Sequence, residues 1–302
     1  MGLLFRLALR NLKCGIGVGL ILFMGCGWAV AQNSTTQKDV TAIIQKSVEA
    51  NNRDWNADPN FDYFERDRGS DGTKTYEVTN ILGTPYERLI EINGKPLVGQ
   101  QKEQEQKKFD AMLSQRRSET PEQRAQRIAK NEADRKRDHE MLAQLTKAFD
   151  FKLQGEQKIG KHKVYVLKAT PRRGYHPPNR DTEVLPGMEG RLWIDEATCQ
   201  WVKVEAHVIH PVSIEGVLAR VEPGTRFELE KAPVQDDIWL TTHYAMKASA
   251  KVLFLVPHHS QDDETYFNYH PSPASSPTQS SGSFQSSPNE PSAYADSRPA
   301  NR

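Results

Sequence analysis

The chain has 302 residues, with 40 Lys and Arg against 39 Asp and Glu, 37% hydrophobic residues and three Cys. A near-neutral chain carries no field to draw in nucleic acid, and three Cys cannot frame a disulfide-dense domain. The hydrophobic share is below the globular average, so part of the chain is expected outside any core.

Residues 1–31 read as a signal peptide. Arg6, Arg10 and Lys13 open the chain, an uncharged apolar run covers 14–28, and Ala29-Val30-Ala31 supplies an A-x-A cleavage site. The run is shorter than the ~20 residues of a bilayer span. An uncleaved membrane anchor is the alternative. A lipoprotein signal at Gly25-Cys26 is disfavoured by Phe23 and Met24. Cleavage leaves Cys199 without a disulfide partner, which suits a bacterial envelope protein, and the expected location is the periplasm.

The folded domain is expected over 32–270. Asp39 can cap a short helix from Val40, with Ile43, Ile44 and Val48 as its apolar stripe and Asn51, Asn52 and Asp58-Pro59 as its end. The carboxylate-rich stretch Asp58 to Asp71 lacks the ligand spacing of an EF-hand and reads as turn chemistry. Two strands follow, at 74–82 and 86–92, joined by Gly83-Thr84-Pro85 and closed by the Asn93-Gly94 turn signal.

Segment 100–148 changes character. Phe109, Met112 and Leu113 recur at helical spacing, as do Ile128, Met141, Leu142 and Leu145. Thr120-Pro121-Glu122-Gln123 offers an N-cap, a first-position proline and a capping box. Two helices are expected, at 100–117 and 121–148. Their interleaved charges read as a solvated face rather than a nucleic-acid surface. The thin apolar stripe suits helices laid over something.

From 151 to 269 almost everything reads as strand. The runs are 151–157, 162–169, 190–195, 200–209, 213–221, 225–231, 237–246, 248–256 and 264–269, with a long Gly/Pro-rich loop at 172–187. No helix separates the later strands, so they pair antiparallel, and about eleven strands must curl or close. The fold class is mainly β with helices (α+β), built on a curved antiparallel sheet. Trp193, Trp201 and Trp239 alternate with aliphatic neighbours, putting apolar residues on both faces. A sheet lining a cavity and a sandwich satisfy this equally.

Residues 271–302 hold ten Ser and six Pro and read as a disordered tail.

No phosphate loop, H-E-x-x-H, C-x-x-C or G-x-S-x-G occurs. His207, His210, His258 and His259, with Asp262, Asp263 and Glu264, read as solvated turn residues rather than a metal site. Cys199 has no His or Asn arrangement around it that would make a nucleophile. Neither an enzyme, a cofactor nor a metal is expected.

The hairpin Gly190-Arg191-Leu192-Trp193-Ile194-Asp195, a turn and Gln200-Trp201-Val202-Lys203-Val204-Glu205 carry a resemblance, together with Ile92-Asn93-Gly94-Lys95-Pro96-Leu97. Over residues 40–270 the chain resembles the LolA/LolB-like superfamily, in particular the bacterial outer-membrane lipoprotein-sorting proteins. The insert 100–148 and the Ser/Pro tail are additions to the compact carriers' pattern. The resemblance implies an unclosed β-barrel covered by helices, with lipid or lipoprotein acyl chains as partners and no covalent chemistry. Candidate lining residues are Tyr76, Val78, Ile90, Ile92, Val164, Val166, Leu192, Ile194, Leu218, Phe227, Leu229, Leu240, Leu253 and Leu255. Ile128, Met141, Leu142 and Leu145 are candidates for the cover. An ordinary packed core accounts for any one of them as well. The alternative function is an envelope interaction module, with the charged insert as a docking surface for a protein partner.

Overall fold

The computed structural model describes residues 34–214, 219–252 and 256–273. The expected signal peptide at 1–31 and nearly all of the expected tail lie outside these residues.

Helix α1 (Ser34–Ala57) is longer than its apolar stripe suggests. Val40, Ile44, Ser47, Asn51 and Asp54 are all buried and recur at intervals of three or four. The stripe is apolar in its first half and polar in its second, so Asn51 is part of the docking face and not a stop. Asn51 itself donates to the Ser47 carbonyl at 2.8 Å, inside the helix. A 3₁₀ turn, Asp58–Asn60, then ends it with Pro59.

Strand β1 (Phe61–Gly69) occupies the segment expected as turn chemistry. Its alternating charges hid the two-residue period. Tyr63, Glu65 and Asp67 share one face, and Phe64, Arg66 and Arg68 share the other. β2 (Gly72–Ile81), β3 (Thr84–Ile92) and the two-residue β4 (Lys95–Pro96) continue the meander. Asn93 and Gly94 both take positive φ, 53° and 71°, as a tight hairpin between twisted strands requires.

Helices α2 (Gly99–Arg117) and α3 (Pro121–Ala148) fall within a residue of the expected limits. Thr120 caps α3, and the Gln123 side chain returns the bond to complete the box. The insert's arginines hold it to the sheet. Arg116 donates to the carbonyls of Ile81 at 2.8 Å and Thr84 at 2.9 Å. Glu105 accepts from the Leu89 N–H at 3.3 Å, occupying part of the otherwise open edge of β3.

The remaining strands are β5 (Phe149–Ile159), β6 (His162–Pro171), β7 (Met188–Asp195), β8 (Trp201–Val208), β9 (Val212–Ile214), β10 (Ala219–Val221), β11 (Arg226–Gln235), β12 (Ile238–Val252) and β13 (Val256–Pro271). Two expected strands, 237–246 and 248–256, are one strand through residue 252, because no turn residue interrupts Met246-Lys247-Ala248. His259, Asp262, Asp263 and Glu264 lie inside β13 rather than in a strand-end loop. Ser272 is buried, and its N–H bonds the Asn60 carbonyl at 2.7 Å, so the fold runs slightly past residue 270.

The sheet order is β4-β3-β2-β1-β13-β12-β11-β8-β7-β6-β5, with β9 and β10 beside β12. Every pairing is antiparallel, and β4 and β5 do not meet, so the sheet stays open. Leu167, Leu192, Ile194, Leu229, Tyr244 and Met246 form its inner face, closed by Val40 and Ile44 of α1. Val164, Val166, Trp193, Val202 and Trp239 pack on the outer face. A register shift pairs Ile194 with Trp201 and skips Val202. That bulge turns Trp201 inward, beside Val204, instead of opposite it.

Candidate functional site

The inner face of the sheet is built in register rows. One row is large throughout: Leu167, Leu192, Val204, Leu229 and Tyr244 on β6, β7, β8, β11 and β12. The neighbouring row begins Ala169, Gly190 and Ala206 before reaching Phe227 and Met246. Three small residues side by side leave a trough. Gly190 cannot be enlarged: a Cβ there would sit 2.5 Å from the Glu205 carbonyl oxygen.

A cavity of about 190 Å³ lies over this trough. Leu192, Trp201, Val204, Phe227 and Met246 wall it on the sheet side, and Phe149 and Phe151 of β5 close one end. Glu189, Arg191, Glu205 and Arg226 alternate with these inward residues, which aims their side chains at the outer face. The cover comes from three segments: Ile44, Ser47 and Val48 of α1, Met141, Leu145 and Thr146 of α3, and Val184 and Leu185. The last pair belongs to the loop expected at 172–187. It carries two 3₁₀ turns and buries Leu185 against Ala148 and Phe149.

Of the expected lining residues, Leu192 and Phe227 face this cavity, as do Met141 and Leu145 of the expected cover. Ile194 and Leu229 lie in the core beside it. Val164 and Val166 point the other way, because the partners of β6 put its even-numbered residues outside. Tyr76, Val78, Ile90 and Ile92 are on β2 and β3, in the far wing of the sheet. Leu240 is buried on β12 but does not reach the cavity. Ile128 packs at the β2–β3 turn, where its Cδ1 would meet a Cβ on Gly83 at 2.7 Å. Leu218, Leu253, Leu255 and the side chain of Leu142 lie outside the described residues.

The far wing of the concave face is polar. Tyr63, Tyr266 and Tyr269 cluster with ring centroids 5.1–5.8 Å apart. Tyr266 donates to the buried Glu264. Burial, reinforced by Glu87 and Glu264, pushes the Glu65 carboxyl up to about 8.

On the outer face Glu228, Glu230 and His243 come within metal-binding distance of one another. The Lys203 ammonium already sits there, 2.6 Å from Glu228 and 3.4 Å from Glu230. His162 is held by Asp195 at 3.0 Å and lies edge-on to Trp239. The second Asp195 oxygen accepts from Thr198, so this group is a turn clamp with no hydroxyl aimed at the imidazole.

No family model matches the chain, and no curated protein does. Solved structures do. The chain is similar in structure to LolA superfamily proteins. One is NE2245 from Nitrosomonas europaea, 10% identical, with a TM-score of 0.28 over 76% of this chain and 91% of that one. Another is an outer membrane lipoprotein-sorting protein domain from Vibrio parahaemolyticus, 10% identical, with a TM-score of 0.31 over 78% and 95%. A chain of the Pseudomonas aeruginosa MucA/MucB complex is 13% identical, with a TM-score of 0.22 over 75% and 99%. These TM-scores lie below 0.5, and the functional reading therefore rests on the cavity's own residues. Among the described residues no helix is long and apolar enough to cross a membrane.

Proposed function

We propose that this protein binds an acyl chain of a lipid or lipidated protein in the cavity beneath α1 and α3, and releases it chemically unchanged. The observation that carries the reading is the small-residue row Ala169-Gly190-Ala206, which keeps apolar space open where the adjacent row is filled. Side chains that line unfilled apolar space lack partner atoms on one side and forgo those contacts. A larger residue at Ala169 or Ala206 would recover part of them. An apolar occupant recovers them as binding energy instead.

The size narrows the occupant. An apolar cavity of about 150 Å³ stays dry and takes a benzene-sized guest, and drug-sized pockets begin at roughly 300 Å³. The cavity falls between them and suits one slender chain. Among the described residues the charged members of the lining are Glu189, Arg191, Glu205 and Arg226, all alternating toward the outer face, and the inward side chains are mostly apolar, so its chemistry is that of a container. The reading of residues 1–31 as a signal peptide supports the periplasm as the setting of this binding.

The test is native mass spectrometry, with organic extraction, of the protein purified from a bacterial periplasm without detergent. A stoichiometric lipid or lipopeptide that leaves on denaturation supports the reading. A clean apo mass, with no uptake of a fluorescent fatty acid, refutes it and favours the insert as a docking surface.

A further inference from the structure

Helix α3 reaches the cavity through Met141 and Leu145, and α1 through Ile44 and Val48. One residue group joins the two helices beside those contacts, ahead of them on α3 and beyond them on α1. The His139 ring of α3 stacks on Trp55 of α1, with centroids 4.5 Å apart and planes 17° apart. Its Nε2 is 2.8 Å from Asn52 Oδ1. An amide oxygen only accepts, so Nε2 carries the hydrogen. Nδ1 is buried and has no partner. Arg135, one turn earlier, places its guanidinium carbon 4.7 Å from the same Trp55 ring and donates to the Trp55 carbonyl at 2.6 Å.

This is a site for a neutral imidazole. A second ring proton would appear on Nδ1, where no described residue accepts it, beside a guanidinium already seated on the same tryptophan. The described carboxylates nearby are engaged elsewhere and do not offset the new charge. On α3, Arg135 repels it, and the nearby Glu132 is engaged by Arg135 at 2.9 Å. Following α1, Asp58 lies 4.0 Å from Arg135. From the sheet, Lys231 repels it too, and Asp54 is taken up by Lys231 at 2.8 Å. Burial, then Arg135 and Lys231, hold the His139 pKa below 6.5.

We propose that His139 makes the α1–α3 clamp over the cavity proton-sensitive, so that protonation of its ring frees α3 from α1. The sign follows from the depressed folded value. Above pH 6.5 both clamped and released states are neutral at this ring, and the clamp is at full strength. Below 6.5 the released state takes the proton first. The released fraction then rises by up to about tenfold per pH unit until the clamped ring itself titrates. Met141 and Leu145, two and six residues further along the same helix, are withdrawn with it. The clamp stands on the helix contact alone; only its consequence for cargo rests on the cavity reading.

Amide hydrogen exchange over 121–148 in the full chain, corrected for intrinsic rates, tests it at pH 7.5 and 5.0. The wild type should lose protection in α3 at pH 5.0, and His139→Gln, which keeps a donor for Asn52 but cannot gain charge, should not. Equal exchange at both pH values, or the same loss in His139→Gln, overturns the proposal. Should that variant fail to fold, NMR titration of the wild-type imidazole decides. An inflection below 6.5 that coincides with the loss of protection supports the clamp, and one at or above 6.5 overturns it. Loading of a fluorescent fatty acid is followed in parallel. Failure to load at any pH, with the exchange result intact, removes the cavity reading and leaves the clamp standing.

Discussion

Asp54 on α1 and Lys231 on β11 meet at 2.8 Å, with side chains only 2% and 9% exposed. The Asp54 carboxylate also accepts from the Trp239 N–H at 3.1 Å and from Gln200 Nε2 at 3.0 Å. Lys231 adds a bond to Asn51 at 3.0 Å. One carboxylate thus ties a helix to the starts of two strands, β8 and β12, and to the middle of a third.

Breaking one half of this pair strands a charge in the interior. Asp54→Ala should cost about 3–5 kcal/mol, because the buried Lys231 then loses its hydrogen-bonded counter-ion. The double variant Asp54→Leu, Lys231→Met removes both charges and should recover most of that loss. Urea denaturation of the three proteins checks it. A double variant as unstable as the single would show that the hydrogen bonds to Trp239 and Gln200, rather than the charge, carry the attachment.

The cavity reading makes a prediction about volume. Ala206→Leu places a branched side chain in the trough between Gly190 and Phe227. It should abolish uptake of a fluorescent fatty acid while leaving stability within about 1–2 kcal/mol of wild type, because it fills existing space rather than forcing the core apart. Gly190→Ala is the contrast. Its Cβ meets backbone at 2.5 Å, so it should destabilise the protein as well as block uptake. Unchanged uptake in Ala206→Leu would place the ligand elsewhere.

The same residues mark how far the sequence could be read. The two insert helices were legible because Thr120, Pro121 and Gln123 state a helix start in local chemistry that no tertiary contact has to supply. The cavity was not. Ala169, Gly190 and Ala206 lie on three strands and become a row only once pairing is known. Apolar periodicity nominated large residues, whereas the space is set by small ones. Val164 and Leu192 looked alike as strand residues and face opposite sides. β1 was missed because Asp62, Glu65, Arg66 and Asp67 give no hydrophobic alternation.

The insert offers a local check. Thr120→Ala removes the side chain that accepts from the Gln123 N–H and breaks the capping box. It should cost about 1 kcal/mol and raise exchange only in the first turns of α3. Arg127→Lys acts on the same corner. Arg127 forks onto Glu119 at 2.6 and 2.7 Å and reaches the Leu82 carbonyl at 3.1 Å. Lysine cannot reproduce that fork, so the insert should loosen from the β2–β3 turn while the cavity side of α3 stays protected. Loosening that spreads to Met141 would mean that α3 moves as one rigid piece.

Glu65 sets the pH dependence of the polar wing. Its folded value of about 8 lies above the ordinary 4.5, with burial as the main cause and Glu87 and Glu264 adding to it. The fold therefore favours the protonated acid. Below pH 4.5 folded and unfolded chains both hold the proton and Glu65 costs nothing. Between 4.5 and 8 the unfolded chain gives it up and the folded one keeps it, so this residue's contribution falls as pH rises. Glu65→Gln mimics the protonated form and removes that slope. Its Tm should match wild type near pH 4 and exceed it at pH 8, by about 2–4 °C for each kcal/mol recovered. Paired thermal melts at the two pH values decide the point. A wild-type advantage at pH 8 would mean that a cation sits among these carboxylates in solution and holds Glu65 ionised.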